Sequence, residues 1–523
     1  MYKRYVMQLE RKSFIRGKVR KRRQFRKEDF WKGKCMEKIR IENLRSLKDT
    51  GQVELKPINV LVGGNSSGKS TFLRFFPLVK QSLGRKINGP ILWAGEDDDY
   101  VDFGSFDEAL NHNSGDGKIK FEFEVKNLYV KPSEKVSGEQ EDKITIKYIL
   151  EKNQNTSCDY LSEMQFDMSS KKIVIKLSPN GKIEEVSIDG RRYKPIELPI
   201  DNVDNGSYHD TINSIFDISL RNIGRFAERK IYELTSVCGN EDNYYNAPNN
   251  ENDIAKSSER SIEGKRIFAD MTLLKQLASI YEDEIVNILK RYFREVYYIA
   301  PVRATAERYY RIRNSAVNEV DCTGKNIAVL LNSFSEERLN AFQMWTTETL
   351  GFQVEKSLSE GHISLKIRKK DAKRAVNLSD MGFGYSQILP IIVQIWLVVH
   401  KVSIKKLAGF EWNMSNDIVT IAIEQPELHL HPSLQAKIVD VIVRVMQNSG
   451  NMIRFIIETH SETIINRLGN LIYKEKLNKD QVNVMIFNKD FGDDDTTIQF
   501  GNFDEEGYLE NWPAGFFEPE EVQ

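Results

Sequence analysis

The apolar positions of this 523-residue chain change their period along its length, and each change predicts a different element. Two short stretches, Ile39–Ile41 and Val53–Leu55, precede an unbroken apolar run, Ile58–Val62, whose lack of alternation predicts a short buried strand. Thr71–Val79 reads as the first turns of a helix ending in the basic Lys80. Over 117–200 the period becomes two: Ile119, Phe121, Phe123 and Val125, then Ile144, Ile146 and Tyr148, then Ile173, Ile175 and Leu177, with Asn180-Gly181 as a hairpin turn. An antiparallel β-rich lobe is the expectation there. From Asp201 to about Gly264 only Ile212–Leu234 shows periodicity, and Asn240–Ser258, rich in Asn, Glu and Ser, reads as a flexible insertion. Helical spacing returns at Met271, Leu274, Leu277, Ile280, Ile285, Ile288 and Leu289, leading into a strand at Val296–Ile299. No heptad is sustained over several repeats, so no long coiled-coil arm is expected. Asp417–Glu424 and Asn451–Ile457 are two further strand-like runs, each meeting a carboxylate at its end, and Val482–Phe487 and Thr496–Phe500 read as the last strands.

Candidate chemistry sits at the ends of these runs. Val60–Thr71 reads V-L-V-G-G-N-S-S-G-K-S-T, a complete G-x-x-x-x-G-K-[ST] loop between a strand and a helix. Gly63 and Gly68 permit dihedrals closed to residues with a side chain, so backbone N–H groups can turn inward around an anion at a helix N-terminus. Lys69 is expected to reach the β- and γ-phosphates of a nucleoside triphosphate and the Ser70 hydroxyl to ligate Mg²⁺, with Asn65, Gly68 and Thr71 completing the binding loop. Downstream, Glu424 ends a buried strand and is followed by Gln425-Pro-Glu427-Leu-His429-Leu-His431-Pro. An acid delivered this way is how doubly wound NTPases place Mg²⁺ opposite the phosphate loop. The other strand ends in Glu458-Thr459-His460-Ser461, where a histidine can reach a γ-phosphate or the attacking water.

Composition narrows the picture. With 40% hydrophobic and 29% charged residues the chain is long enough for two to four structural units, at roughly 150 residues per domain. Its most apolar stretch, Ile388–His400, is interrupted by Gln394 and reads as too short to span a bilayer, so no membrane is expected. Cys35, Cys158, Cys238 and Cys322 form no C-x-x-C, which argues against a zinc hook or a disulfide framework and for a reduced, cytoplasmic compartment. The formal net charge of −1 conceals fourteen Lys and Arg in residues 1–34, set against Glu10, Glu28 and Asp29. This basic N-terminal arm, 1–35, is open to three readings: nucleic-acid binding, a solvated tail, or an upstream extension ahead of a start at Met36. A second basic cluster, Arg303, Arg308, Tyr309, Tyr310, Arg311 and Arg313, has the interleaved cations and rings that hold phosphates and stack bases, a pattern also found on ordinary surfaces. The triplet Asp102-Phe103-Gly104 lacks the other protein-kinase motifs and carries no such implication.

Taken together, G-G-N-S-S-G-K-S-T, I-E-Q-P-E-L-H-L-H-P and E-T-H-S-E, in this order and with a long insertion between the first two, resemble the ABC-type ATPases of the OLD group and their AAA-annotated bacterial relatives. The resemblance implies an α/β fold: an ABC/SMC-like P-loop core, a mixed sheet flanked by helices, with the antiparallel β-rich lobe and a helical insertion. Its implied organisation is the N-terminal part of the ATPase domain over 36–200, the insertion over 201–295 with the flexible segment 240–258, the C-terminal part over 296–478, and terminal strands and tail over 479–523. Asn377-Leu-Ser-Asp-Met-Gly382-Phe-Gly384-Tyr-Ser386-Gln387 stands where that family has its signature loop, so Gly382, Gly384 and Ser386 are implied to touch the γ-phosphate held by a second subunit. Glu424 corresponds to the metal acid and His460 to the switch histidine. Gln425 stands where such enzymes place the catalytic glutamate; either Glu427 substitutes or hydrolysis is slow. His429 and His431 are expected to be structural. ATP and Mg²⁺ are the implied ligands, and a homodimer or higher oligomer the implied assembly. The ending Asn511-Trp-Pro-Ala-Gly-Phe-Phe-Glu518 is similar to that of Septu-type antiphage defence ATPases, implying a partner effector such as an HNH-type nuclease. OLD nucleases carry a fused Toprim domain of roughly a hundred residues, for which the stretch beyond His460 is too short. The alternative is an SMC/RecF-like DNA repair ATPase acting directly on DNA.

Overall fold

A computed structural model describes residues 35–85, 87–96, 99–126, 143–168, 171–194, 214–238, 251–312, 317–407, 418–489 and 495–512. The basic arm 1–34, residues 240–250 of the segment read as flexible, Arg313 and the tail from 513 lie outside the described residues.

The described chain begins with β1 (Cys35–Leu44), which turns into β2 (Leu47–Asp49) and pairs antiparallel with β3 (Val53–Glu54) at Lys38↔Glu54 and Ile39↔Val53. Next come β4 (Ile58–Gly63) and α1 (Lys69–Gly84), the strand and helix on either side of the glycine loop. Strands β5 (Ile119–Lys126), β6 (Lys143–Lys152), β7 (Asp159–Met168), β8 (Lys171–Leu177), β9 (Ile183–Ile188) and β10 (Arg191–Tyr193) form an antiparallel meander that adds to β1 through β5. Period-two burial explains why: Ile119, Phe121, Phe123 and Val125 all bury on one face, while on the other Lys147 pairs with Glu42 and Glu122 across strands.

Two helices, α2 (Arg221–Cys238) and α3 (Glu251–Ile280), pack against each other, and a π-type turn at Tyr281–Ile285 leads into α4 (Val286–Arg294). The stretch from Glu251, read from sequence as flexible, is thus the start of a helix. Phe293 of α4 sits against Phe75 of α1 and Phe123 of β5, with ring centroids 5.9 and 5.7 Å away. This aromatic contact fastens α1 between the β-rich lobe and the sheet that carries β4.

The rest of the chain completes that sheet. After β11 (Val296–Ile299) and β12 (Tyr310–Arg311) come α5 (Ile327–Asn332), α6 (Glu336–Leu350), the hairpin β13 (Phe352–Ser359) and β14 (His362–Lys369), β15 (Val376–Asn377) and α7 (Phe383–Leu407). Then follow β16 (Val419–Glu424), α8 (Pro432–Ser449), β17 (Ile453–Glu458), α9 (Glu462–Tyr473), β18 (Val482–Asn488), β19 (Thr497–Phe503) and β20 (Leu509–Glu510). The sheet order is β11-β16-β17-β4-β18-β19-β20, parallel from β11 to β18 and antiparallel beyond. Each parallel strand is buried on both faces. Leu61, Ala422, Ile456 and Met485 join the core shared with α1 and the β-rich lobe, whereas Val60, Ile421, Phe455 and Val484 join the core under α7, α8 and α9. That two-sided burial is why these runs lack alternation.

Helix α7 corrects one sequence reading. The span Phe383–Ser403 is long and apolar enough to cross a membrane, longer than the 388–400 stretch suggests, but it is mostly buried in this protein. Ile388, Leu389, Ile391, Ile392, Val393 and Ile395 are all core residues.

Candidate active site

At the C-terminal end of β4 the chain turns through the glycine loop into α1, and the loop is held from two sides. A Cβ on Gly63 (φ 150°) would stand 2.3 Å from the main-chain oxygen of Phe487 in β18. One on Gly68 (φ 90°) would stand 2.7 Å from Ser46 Oγ and 2.9 Å from Leu47 Cδ2 in the β1–β2 turn. Only glycine fits either position. No side chain caps the N-terminus of α1 at Gly68, so its first N–H groups remain available to an anion. The α1 helix begins at Lys69, two residues earlier than the sequence suggests.

The loop opens on a cleft of about 360 Å³ that brings together Asn65, Gly68, Lys69, Ser70, Thr71, Gln425 and His460 from the expected set. Lys69 is buried, and its ammonium donates to the carbonyls of Gly63 (3.0 Å) and Gly64 (2.5 Å). Burial pulls its pKa below the ordinary lysine value. His460 is half-buried, and desolvation, then the Lys69 charge, lowers its pKa, which favours the neutral imidazole.

Outside the phosphate loop, three residues in the cleft carried no predicted role: Arg45, Ser46 and Glu458. Arg45 occupies the β1–β2 turn with φ 49° and its guanidinium 4.3 Å from the Phe103 ring centroid. Glu458 ends β17, the strand directly beside β4, and accepts a hydrogen bond from Ser70 Oγ at 2.9 Å. Burial, and then the nearby charge of Glu424, push its carboxyl up to about 7.

The remaining expected residues lie outside the lining of the cleft. Glu424, only 1% exposed, faces α1: Arg74 donates Nε and Nη2 to its two oxygens at 2.7 and 2.8 Å, and the Tyr298 hydroxyl adds a third hydrogen bond at 2.7 Å. Glu427 accepts from Thr459 Oγ1 at 2.9 Å and from the His460 main-chain N–H at 2.7 Å, so it sets the turn that carries the histidine. His431 caps α8 by accepting from the Ser433 N–H, with Pro432 at the first helical position, and His429 lies against the Phe383 ring at 5.9 Å.

Arg303 belongs to the interior rather than to the basic surface cluster. It is buried beneath the Glu424–Gln425 turn and donates to both of those carbonyls and to that of Gln387. Of its neighbours, Arg308 pairs with Asp380, while Tyr309 and Arg311 are exposed. In the stretch 377–387, Asn377 accepts from the Ser379 N–H and Ser386 donates to the Phe383 carbonyl. Gly382 adopts φ 82° with open space around it, and Phe383 is 60% exposed.

A glycine loop between a buried parallel strand and a helix, with carboxylates at the ends of the two strands beyond, defines a P-loop ATPase of mixed α/β fold. Residues 36–465 match the AAA ATPase domain family, and the chain belongs to it. No curated protein matches the sequence. Among solved structures, similar chains include an Smc head bound to the C-winged helix domain of ScpA, at 11% identity and TM-score 0.32 over 89% of this chain and 97% of that one. Another is an Smc head domain with an extended coiled coil bound to the C-terminal domain of ScpA, derived from Pyrococcus furiosus (12%, TM-score 0.31, 89% and 96%). A third is the SMC head domain from Thermotoga maritima (10%, TM-score 0.32, 89% and 98%). Likenesses at this level carry no functional weight.

Proposed function

We propose that this ATPase binds ATP with Mg²⁺, associates head to tail around it, and through that association regulates a partner effector, a nuclease of HNH type in bacterial antiphage defence. The observation that supports assembly is the position of Gly382 and Phe383: exposed at the start of α7, and absent from the lining of the chain's own cleft. A glycine-bearing helix N-terminus presented to solvent suits a phosphate brought by another subunit. The defence role rests on the resemblance of the loop, Glu424–His431, Glu458–Glu462 and tail motifs.

The residues fit the ligands. The two glycines leave room that a Cβ would fill, uncapped N–H groups and Lys69 face the cleft, and an unpartnered buried carboxylate oxygen, Glu458 Oε2, stands beside Ser70. Lys69 and the loop N–H groups would bind the phosphates, and Ser70 would hold the metal. When bound, Mg²⁺ would supply charge neutralisation for the phosphates. His460 would donate or accept at the γ-phosphate side. Gln425 orients water but takes no proton from it, which favours slow turnover and ATP as a clamp.

Sedimentation velocity with and without ATP·Mg²⁺ tests the assembly. Wild type should associate only with nucleotide, and Phe383→Asp should remain monomeric while still binding ATP. A dimer equally stable without ATP overturns the clamp. Co-purification with the products of neighbouring genes tests the effector, and strong stimulation of turnover by DNA would instead support the SMC/RecF-like reading.

A further inference from the structure

We propose that the outer face of the small sheet formed by β12, β14, β13 and β15, together with the turn that joins β14 to β15, binds a single strand of nucleic acid. The inference goes beyond the ATPase reading and does not depend on it.

Strand alternation builds the face. On β14, Ile363, Leu365 and Ile367 bury in the core under α7, so His362, Ser364, Lys366 and Arg368 point the other way. Cross-strand partners share that side: Arg311 of β12 stands opposite His362, while Glu355 of β13 and Asn377 of β15 stand opposite Lys366. The chain then turns back through Lys369-Lys370-Asp371-Ala372-Lys373-Arg374, where the Ala372 N–H donates to the Lys369 carbonyl at 2.9 Å and every residue is exposed.

Charge gives the face its sign. Glu355 is taken by Arg368 and Asp380 by Arg308, both at 2.7 Å. Among the described residues, Arg311, Lys366, Lys369, Lys370, Lys373 and Arg374 make no ion pair and no side-chain hydrogen bond. On the same strands and turns only Glu307, Glu360 and Asp371 are acids without an ion pair, so the free charge is positive. Four cations crowded into one turn repel each other, and a polyanion relieves that repulsion while releasing its own counterions.

An exposed ring chooses between polyanions. Tyr309, 58% exposed, directly precedes β12, with its ring centroid 6.5 Å from that of His362. Cations that take phosphates beside a ring that takes a base face are what a single strand needs. A duplex keeps its base faces stacked inside, and an acidic peptide has none to offer. The platform is also tied to the segment ahead of α7: Asn377 Nδ2 donates to the Arg308 carbonyl at 3.2 Å, and the Arg308 partner, Asp380, belongs to the stretch that ends in Gly382 and Phe383.

Fluorescence anisotropy of the full chain with labelled oligo(dT) and oligo(U), each of about twelve nucleotides, tests this over about 50–200 mM salt. Wild type should bind a single strand, with log affinity falling linearly in log salt. The quadruple variant K369A/K370A/K373A/R374A should lower that slope by about 3, at about 0.7 per phosphate contact. Tyr309→Ala should weaken binding about 5-fold or more, the loss of one stacked base, and leave the slope unchanged. These are exposed positions, and circular dichroism should show the wild-type fold in both variants. Photo-crosslinking of wild type with a 5-iodouracil oligonucleotide, read by mass spectrometry, needs no variant and should modify Tyr309. Absence of binding, crosslinks confined to the basic arm 1–34, or an unchanged slope in the quadruple variant overturns the proposal. Competition by a duplex or by polyglutamate as effective as that of the single strand overturns it as well.

Discussion

The guanidinium of Arg303 reaches the main-chain oxygen of Gln425 at 2.8 Å and that of Glu424 at 3.0 Å through one nitrogen, Nη2, while Nη1 turns to the carbonyl of Gln387 in the first turns of α7. Gln387 returns a hydrogen bond to the Arg303 carbonyl at 3.2 Å. One buried side chain therefore ties the turn that lines the cleft to the helix whose exposed start lies outside that lining. Gln425 is held there with φ 43°, a left-handed geometry that a side-chain-bearing residue adopts only when its surroundings impose it.

Replacing that cation should disturb the turn more than the ligand loop. Arg303→Met removes the guanidinium donor from the buried Glu424 carbonyl, at about 1–3 kcal/mol, and leaves the Gln425 carbonyl with only the Leu428 N–H at 3.3 Å; it should lower the melting temperature and the turnover together. Arg303→Lys should restore only part of both, since an ammonium lacks the fork that spans the turn and α7. Paired melting curves and ATPase rates check this; a lysine variant equal to wild type would show that charge alone suffices.

Breaking the other buried pair should cost more. Arg74→Met strands the Glu424 carboxylate, which is expected to destabilise by about 3 kcal/mol. Adding Glu424→Gln should recover part of the loss, because the double variant no longer buries an uncompensated charge. Thermal denaturation of the wild type, the two singles and the double reads the coupling, and strictly additive losses would deny it.

Lys69→Ala should leave the fold intact and cut nucleotide affinity by about 10–100-fold, the equivalent of a charge-assisted hydrogen bond worth about 1.5–3 kcal/mol. Calorimetry gives the affinity and circular dichroism the fold. Unchanged binding would remove Lys69 from the site.

Gln425→Glu places a carboxylate where the cleft has an amide, without altering the main-chain hydrogen bonds that hold the turn. Turnover should rise by ten-fold or more, within the ~10²–10⁴-fold range of positioned acid–base catalysis. Glu427→Gln should also slow turnover, but through the His460 turn that its two oxygens support. A steady-state assay distinguishes these: no gain in the first variant, with complete loss in the second, would make Glu427 the working base.

The parallel sheet was legible in the sequence because strands buried on both faces read as continuous apolar runs, and β4, β16, β17 and β18 are of that kind. The phosphate loop was legible because its glycines answer to local backbone geometry. The place of Glu458 in the cleft was not, since it comes from β17 lying beside β4, far away in the chain. Arg303 was misread as surface because it stands near Arg308–Arg311, while its partners are main-chain carbonyls, which carry no sequence signature. The hairpin β13–β14 escaped notice for another reason: Lys356 stands where the alternation of Phe352, Val354 and Leu358 calls for an apolar residue. Arg45 and Ser46 reach the cleft only because Gly68 lets the β1–β2 turn approach so closely.

The contact between Gly63 and the Phe487 carbonyl also sets a schedule for biosynthesis. A ribosome adding about 5–20 residues per second exposes the phosphate loop roughly 20–80 s before β18 is available to flank it. Throughout that interval β4 lacks the neighbour that walls one side of its loop, and the nascent chain carries an apolar strand with an open edge. The loop that would grip the nucleotide is therefore made long before the strand that finishes its wall.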